Sequence, residues 1–184
     1  MVETIQATRL HPLQSGRTGP AAVSVTLADN ATRVSLRARP DAVAALSKAL
    51  GLTLPTKPKS TAVNGSRAAL WLGPDEWLII DDGESNLVAD LAKAKVLHSA
   101  VDVSHRNVGI IVSGKGAEGV VNGGCPQDLS ERAFPVGAAS RTVLGKIEVV
   151  LWRTAENTFR VECWRSFSPY AFAFLQESAR DIWV

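Results

Sequence analysis

The chain has 184 residues, 46% of them apolar and 21% charged, and carries a formal net charge of +2. That length holds one large domain or two intimate small ones around a real hydrophobic core. The small charge gives no ground for nucleic-acid binding, and no apolar run approaches the ~20 residues of a membrane span.

The first twenty residues contain Glu3, Arg9, His11 and Arg17 without a continuous apolar core, so no signal peptide and a cytoplasmic location are expected. Pro12, Gly16, Gly19 and Pro20 make this stretch, residues 1–20, an extended arm. Strand patterns follow at 23–29 and 32–39, and the Asp29-Asn30 step between them predicts a hairpin. In the second strand, alternation puts Arg33, Ser35, Arg37 and Arg39 on one face, solvated or else a docking surface for an acidic partner, and Val34, Leu36 and Ala38 on the other. Pro40 opens a helix whose apolar face runs from Ala42 to Leu50, and Gly51 stops it.

Residues 55–66 read as a loop, AALWLGPDEWLIIDD as two short strands around Gly73 to Glu76, and 84–95 as a short helix. The theme then repeats. HSAVDVS and NVGIIVSG are strands, 116–123 is a short helix, and the run to Pro135 is mostly loop. RTVLGKIEVVLW folds back at Leu144-Gly145-Lys146, TFRVECWR returns across the turn from Thr154 to Asn157, and a last helix begins with Ser168 as its cap and runs to about Trp183. Two halves of similar order, 21–97 and 98–184, predict an α+β protein of two similar antiparallel-sheet subdomains with helices packed on one face.

Several catalytic motifs are present only in broken form. Asp102, Ser104 and His105 suggest a hydrolase, but in a strand Ser104 and His105 point to opposite faces, and no Gly-x-Ser-x-Gly elbow exists. GKGAEG (114–119) has the spacing of a dinucleotide fingerprint, yet Asn122-Gly123-Gly124 and Pro126 end its helix before a crossover could form. Lys115 lacks the Ser or Thr that a phosphate loop places after it. Three scattered histidines and the isolated Cys125 and Cys163 offer no metal spacing, and the cysteines read as two free buried thiols. Asp75-Glu76 and Asp81-Asp82 sit in turn contexts that favour acids for local hydrogen bonding. No catalytic, cofactor-binding or metal-ligating residue is therefore assigned.

The distinctive content is aromatic. The chain has five tryptophans, and Trp152 and Trp164 are each followed by arginine, Arg153 and Arg165. The last helix carries Tyr170, Phe172, Phe174, Leu175, Ile182 and Trp183 around more than one face. Such a helix is covered on two sides, by the other half of the chain or by a partner. Trp, Tyr and Arg are also what interface centres are made of. The interface candidates are Trp71, Trp77, Trp152, Arg153, Trp164, Arg165, Phe167 and Tyr170.

LWLGPDEWLII, AVDVSHRNVGIIVSGKGA, GCPQDL, RAFPVGAASRTVLGKI and LWRTAENTFRVECWRSFSPYAFAFL, in that order over about residues 65 to 180, resemble the gamma subunits of heterotetrameric sarcosine oxidases. That family is in turn similar to the folate-binding aminomethyltransferase fold of the glycine cleavage T-protein. The wider resemblance places paired aspartates facing the folate amine where this chain has Gly145-Lys146-Ile147-Glu148-Val149-Val150. Valines hold the acid positions, and Glu148 falls on the opposite strand face. The resemblance thus implies a non-catalytic subunit contributing assembly surface to an enzyme that oxidatively demethylates sarcosine, or a related N-methyl amine, passing the methyl carbon to tetrahydrofolate. It implies alpha, beta and delta subunits as partners, with FAD, FMN, NAD and tetrahydrofolate held by the partners and none by this chain. Two other readings stand beside it. One is an autonomous folate-binding or folate-dependent aminomethyltransferase-like protein; the other is RNA binding through Arg33, Arg37 and Arg39, resting only on these arginines and a pI near 8.7.

Overall fold

The computed structural model describes Leu13, residues 23–83 and residues 85–182. The arm expected over 1–20 therefore lies outside the described residues, except Leu13, which packs against a hydrophobic core. Trp183 lies outside them as well.

In chain order the elements are β1 (Ser24–Leu27), β2 (Thr32–Ala38), α1 (Val43–Leu50), β3 (Thr61–Asn64), β4 (Arg67–Gly73), β5 (Glu76–Asp81) and α2 (Leu87–Ala92). Then come β6 (His98–Asp102), β7 (Asn107–Ser113), α3 (Ala117–Asn122), β8 (Ala139–Leu144), β9 (Ile147–Ala155), β10 (Thr158–Trp164) and α4 (Ser168–Asp181). One antiparallel sheet has the order β1-β7-β10-β9-β8 and the other β3-β4-β5-β2-β6. The α+β class and the antiparallel sheets match the expectation.

The expected hairpin between residues 23 and 39 does not form. β1 pairs with β7, whereas β2 sits between β5 and β6 in the other sheet. The chain crosses between sheets at residues 28–31, where Ala28 and Ala31 are small enough to be buried at the crossing. The return crossing lies at 103–106. All strands of the second sheet thus fall within residues 32–102, nested between β1 and the rest of the first sheet, so the sheets do not divide at residue 97.

Alternation along the strands builds three apolar layers. In β5, Trp77 and Ile79 face the cluster under α1 and α2, while Leu78 and Ile80 face a cluster between the sheets shared with Ala139 and Val150. Ile147, Val149 and Leu151 of β9 face a third cluster with Leu175 and Ala179 of α4. The result is four layers, a helical layer outside each of two facing sheets.

Local chemistry ends the elements where the sequence says it should. Pro40 starts a single 3-10 turn ahead of α1, and Gly51 closes it in the left-handed region at φ 65°. Gly145 turns β8 into β9 at φ 58°, and a Cβ there would also strike the Tyr170 hydroxyl. Two local expectations fail. Part of 55–66 is the edge strand β3, and Ser168 does not cap α4, since its hydroxyl donates to the Arg165 carbonyl at 2.8 Å. No helix among the described residues is long and apolar enough to cross a membrane.

Candidate docking surface and the charge network behind it

Of the strand face that alternation marks as solvated, Arg37 and Arg39 are exposed, but the Arg33 end is covered by the first sheet. Arg33 is 2% exposed and makes a two-pronged ion pair with Glu162 of β10, Nε to Oε2 at 2.6 Å and Nη2 to Oε1 at 3.0 Å. Arg160 adds Nε to Glu162 Oε1 at 2.9 Å and reaches Asp82, beyond β5, at 3.1 Å. Burial pushes the Glu162 carboxyl up, but the Arg33 and Arg160 charges and hydrogen bonds outweigh it and hold the group below its ordinary value of 4.5. Gly109 makes room for this network: a Cβ there would lie 2.8 Å from Glu162 Oε1 and 2.9 Å from Ala28 Cβ. The ion bridge ties the two sheets together through their facing sides.

The acidic pairs are structural. Asp81 accepts hydrogen bonds from Ser66 (2.6 Å), Arg67 (2.8 Å) and the Gly83 amide (2.9 Å). Burial raises its pKa, and these donors together lower it to about 2. Asp75 pairs with Arg37, and Glu76 with Arg141 of β8. Of the three arginines considered for RNA, one is therefore buried and a second is paired with an acid.

The broken motifs have structural roles too. Residues 103–106 form a turn rather than strand, with the Asp102 carboxylate accepting from the Ser104 amide at 2.7 Å. Ser104 Oγ accepts from the Arg33 amide at 2.8 Å and His105 is exposed, so the three do not assemble a nucleophile. Gly114 supplies a turn at φ 119° ahead of α3. Among the described residues no three of His, Cys, Asp and Glu are grouped to hold a metal.

Both cysteines are free and buried. Burial, reinforced by the charge of neighbouring Glu162, pushes the Cys163 thiol up to about 12. Alkylation of Cys163 at pH 8 should therefore require denaturant, and peptide mass spectrometry of native and unfolded samples checks it. Ready modification of the native chain would show that β10 opens.

The structure divides the eight interface candidates. Trp77 is 1% exposed in the core under α1, its indole N–H donating to the Pro55 carbonyl at 2.7 Å. Arg153 is also internal, donating to the carbonyls of Leu129 (2.9 Å) and Phe134 (3.0 Å) with its guanidinium 5.1 Å from the Phe159 ring. These two are corrections: they hold the fold and offer no surface. Trp71 and Trp152 are half-buried against the clusters under α1 and between the sheets.

Trp164, Phe167 and Tyr170 are exposed and Arg165 is partly so. The Trp164 and Phe167 rings stack with centroids 5.7 Å apart and planes 10° from parallel. Arg106, which sequence reasoning missed, lays its guanidinium 5.2 Å from the Trp164 ring. Arg106, Trp164, Arg165, Ser166 and Pro169 line an open groove of about 540 Å³. Arg106 and Trp164 also wall a cavity of about 50 Å³ between the sheets, which reaches Glu148, Val149 and Val150. Glu148 is exposed, 3.8 Å from Arg141, and shares its sheet side with Val150, so the expected opposite face holds against Val149 only.

A sequence-family model described as the sarcosine oxidase, gamma subunit family matches residues 35–181. The sarcosine oxidase subunit gamma of Corynebacterium sp. (strain P-1) is 36% identical over 157 residues, covering 82% of this chain and 77% of the relative. That of Arthrobacter sp. is 40% identical over 136 residues, covering 71% and 67%. A chain of the heterotetrameric sarcosine oxidase from Corynebacterium sp. U-96, solved with pyrrole 2-carboxylate, superposes with a TM-score of 0.83 at 31% identity, covering 89% of this chain and 87% of that one. Aminomethyltransferase T of the glycine cleavage system from Bartonella henselae shares the fold, with a TM-score of 0.63 at 13% identity over 88% of this chain and 47% of that one. With the family model spanning most of its length and these relatives alongside, the chain belongs to the sarcosine oxidase gamma subunit family.

Proposed function

We propose that this chain is the gamma subunit of a heterotetrameric sarcosine oxidase and contributes assembly surface rather than an active site. Its likeness to a chain of such a heterotetramer, TM-score 0.83 over 89% of its length, carries the reading. Its partners are then alpha, beta and delta subunits, and FAD, FMN, NAD and tetrahydrofolate belong to those chains. Trp164, Arg165, Phe167 and Tyr170 form its contact surface, with Trp71 and Trp152 as half-buried contributors. The ion bridge between the sheets keeps that surface rigid, because a pre-organised face loses less freedom on association.

The folate-transferase reading draws on the shared fold, and one observation opposes it. Where the resemblance puts folate-facing acids, the structure has a cavity of about 50 Å³. Ligand pockets for organic molecules begin at roughly 300 Å³. Co-expression with the three other subunits should give one co-eluting oxidase, while the chain purified alone should be colourless, inert towards sarcosine and without tight tetrahydrofolate binding. A chain that stays apart from its partners, or that turns over sarcosine alone, would end the proposal.

A further inference from the structure

The groove beside Trp164 combines three properties. Trp164 in its wall is exposed and stacked on Phe167, it carries two arginines, and no carboxylate among the described residues lines it. Arg106 forms no ion pair among the described residues; its side chain makes a 3.4 Å hydrogen bond to Asn107 and lies over the Trp164 ring. A guanidinium stacked on an indole keeps the N–H groups along its rim directed sideways, in the fork that matches a carboxylate. Three other exposed arginines meet acids: Arg37 pairs with Asp75, Arg141 with Glu76 and Arg180 with Glu177. Arg106 has no such counterpart among the described residues of the groove lining.

We infer that this groove receives an acidic segment of a partner subunit, whose carboxylate forks onto Arg106 while a neighbouring apolar side chain lies on the Trp164–Phe167 stack. The inference rests on the assembly reading above and names the chemistry of the occupant. Charge complementarity selects an acidic segment, and the ring stack supplies the desolvated contact area on which interface energy concentrates.

The test uses the co-expressed oxidase with wild-type chain and with Arg106→Ala, Arg106→Glu and Trp164→Ala, plus a thermal melt of each chain alone. Trp164→Ala should weaken assembly by about tenfold or more, as truncation of a central aromatic does. Arg106→Glu should weaken it further than Arg106→Ala, and raised salt should narrow the gap between wild type and Arg106→Ala. Radical footprinting of wild-type protein covers the case of a variant that fails to fold: oxidation of Trp164 and Phe167 should fall several-fold in the complex. Variants that melt normally and assemble like wild type, or unchanged footprints, overturn the site. Equal losses for Arg106→Ala and Arg106→Glu overturn the acidic occupant. Failure of the wild-type chain to assemble overturns the assembly reading itself.

Discussion

Replacing Glu162 with alanine should lower the unfolding free energy by about 3–5 kcal/mol, the range for removing one partner of a buried ion pair. The cost comes from what is left behind, since the Arg33 side chain is only 2% exposed and that of Arg160 only 6%. Arg33 would face a low-dielectric gap between the sheets with no other ion-pair partner among the described residues, while Arg160 would keep only Asp82, at 3.1 Å. Denaturant titration should show the midpoint falling with little change in slope. Replacing Arg33 and Glu162 together, by methionine and leucine, should recover much of the loss, because the fully buried pair disappears with its interaction and Arg160 keeps Asp82. An alanine variant as stable as wild type would show that the arginines reach solvent.

The same carboxylates set the response to acid. Glu162 and Asp81 both titrate below their ordinary values of 4.5 and 3.8 in the folded chain, Asp81 at about 2. A carboxyl with a depressed folded pKa stabilises fully above its unfolded value and loses that contribution as pH falls through the folded one. Their share of stability should hold above about pH 4.5 and drain away toward pH 2, and midpoints measured across that window in wild type and Glu162→Gln will show it.

Trp77→Ala and Trp164→Ala should have opposite consequences, although the two residues look alike in the sequence. The first empties a core site and strands the Pro55 carbonyl that its indole now serves, costing about 3–5 kcal/mol. The second trims an exposed ring and should stay within about 0.5 kcal/mol in the isolated chain. Paired thermal melts decide it. A Trp164 variant that melts as early as the Trp77 variant would place the ring stack in the core rather than on the surface.

Most elements were legible because their signals are local. Pro40 and Gly51 bound α1, the Gly145 turn joins β8 to β9, and alternation correctly buried Val34, Leu36 and Ala38. What local signals miss is the surroundings of a face. Period two told Arg33 from Val34 without showing that a second sheet lies over Arg33. Asp29-Asn30 is good turn chemistry, yet it serves a crossing between sheets instead of a hairpin. β3 went unread because its four residues lie between a Pro- and Lys-rich loop and a turn, on a sheet edge. Glu162 left one usable trace, an acid inside the otherwise apolar VEC stretch of β10, where an unpaired charge would be prohibitive. Arg106 left none, since nothing in the sequence places it over Trp164.

The nesting of one sheet within the other bears on how the polypeptide reaches this state. β1 must find β7, Leu27 opposite Ile110, across roughly 80 intervening residues, a loop whose closure costs on the order of 4 kcal/mol in chain entropy. The inner sheet settles much of that beforehand. Val34 pairs with Asp102, the Val103 amide donates to the Arg33 carbonyl at 2.9 Å, and the two crossings therefore leave the inner sheet side by side. During synthesis, every strand of the inner sheet is available to pair once residue 102 clears the ribosome, before β7 has emerged to meet β1.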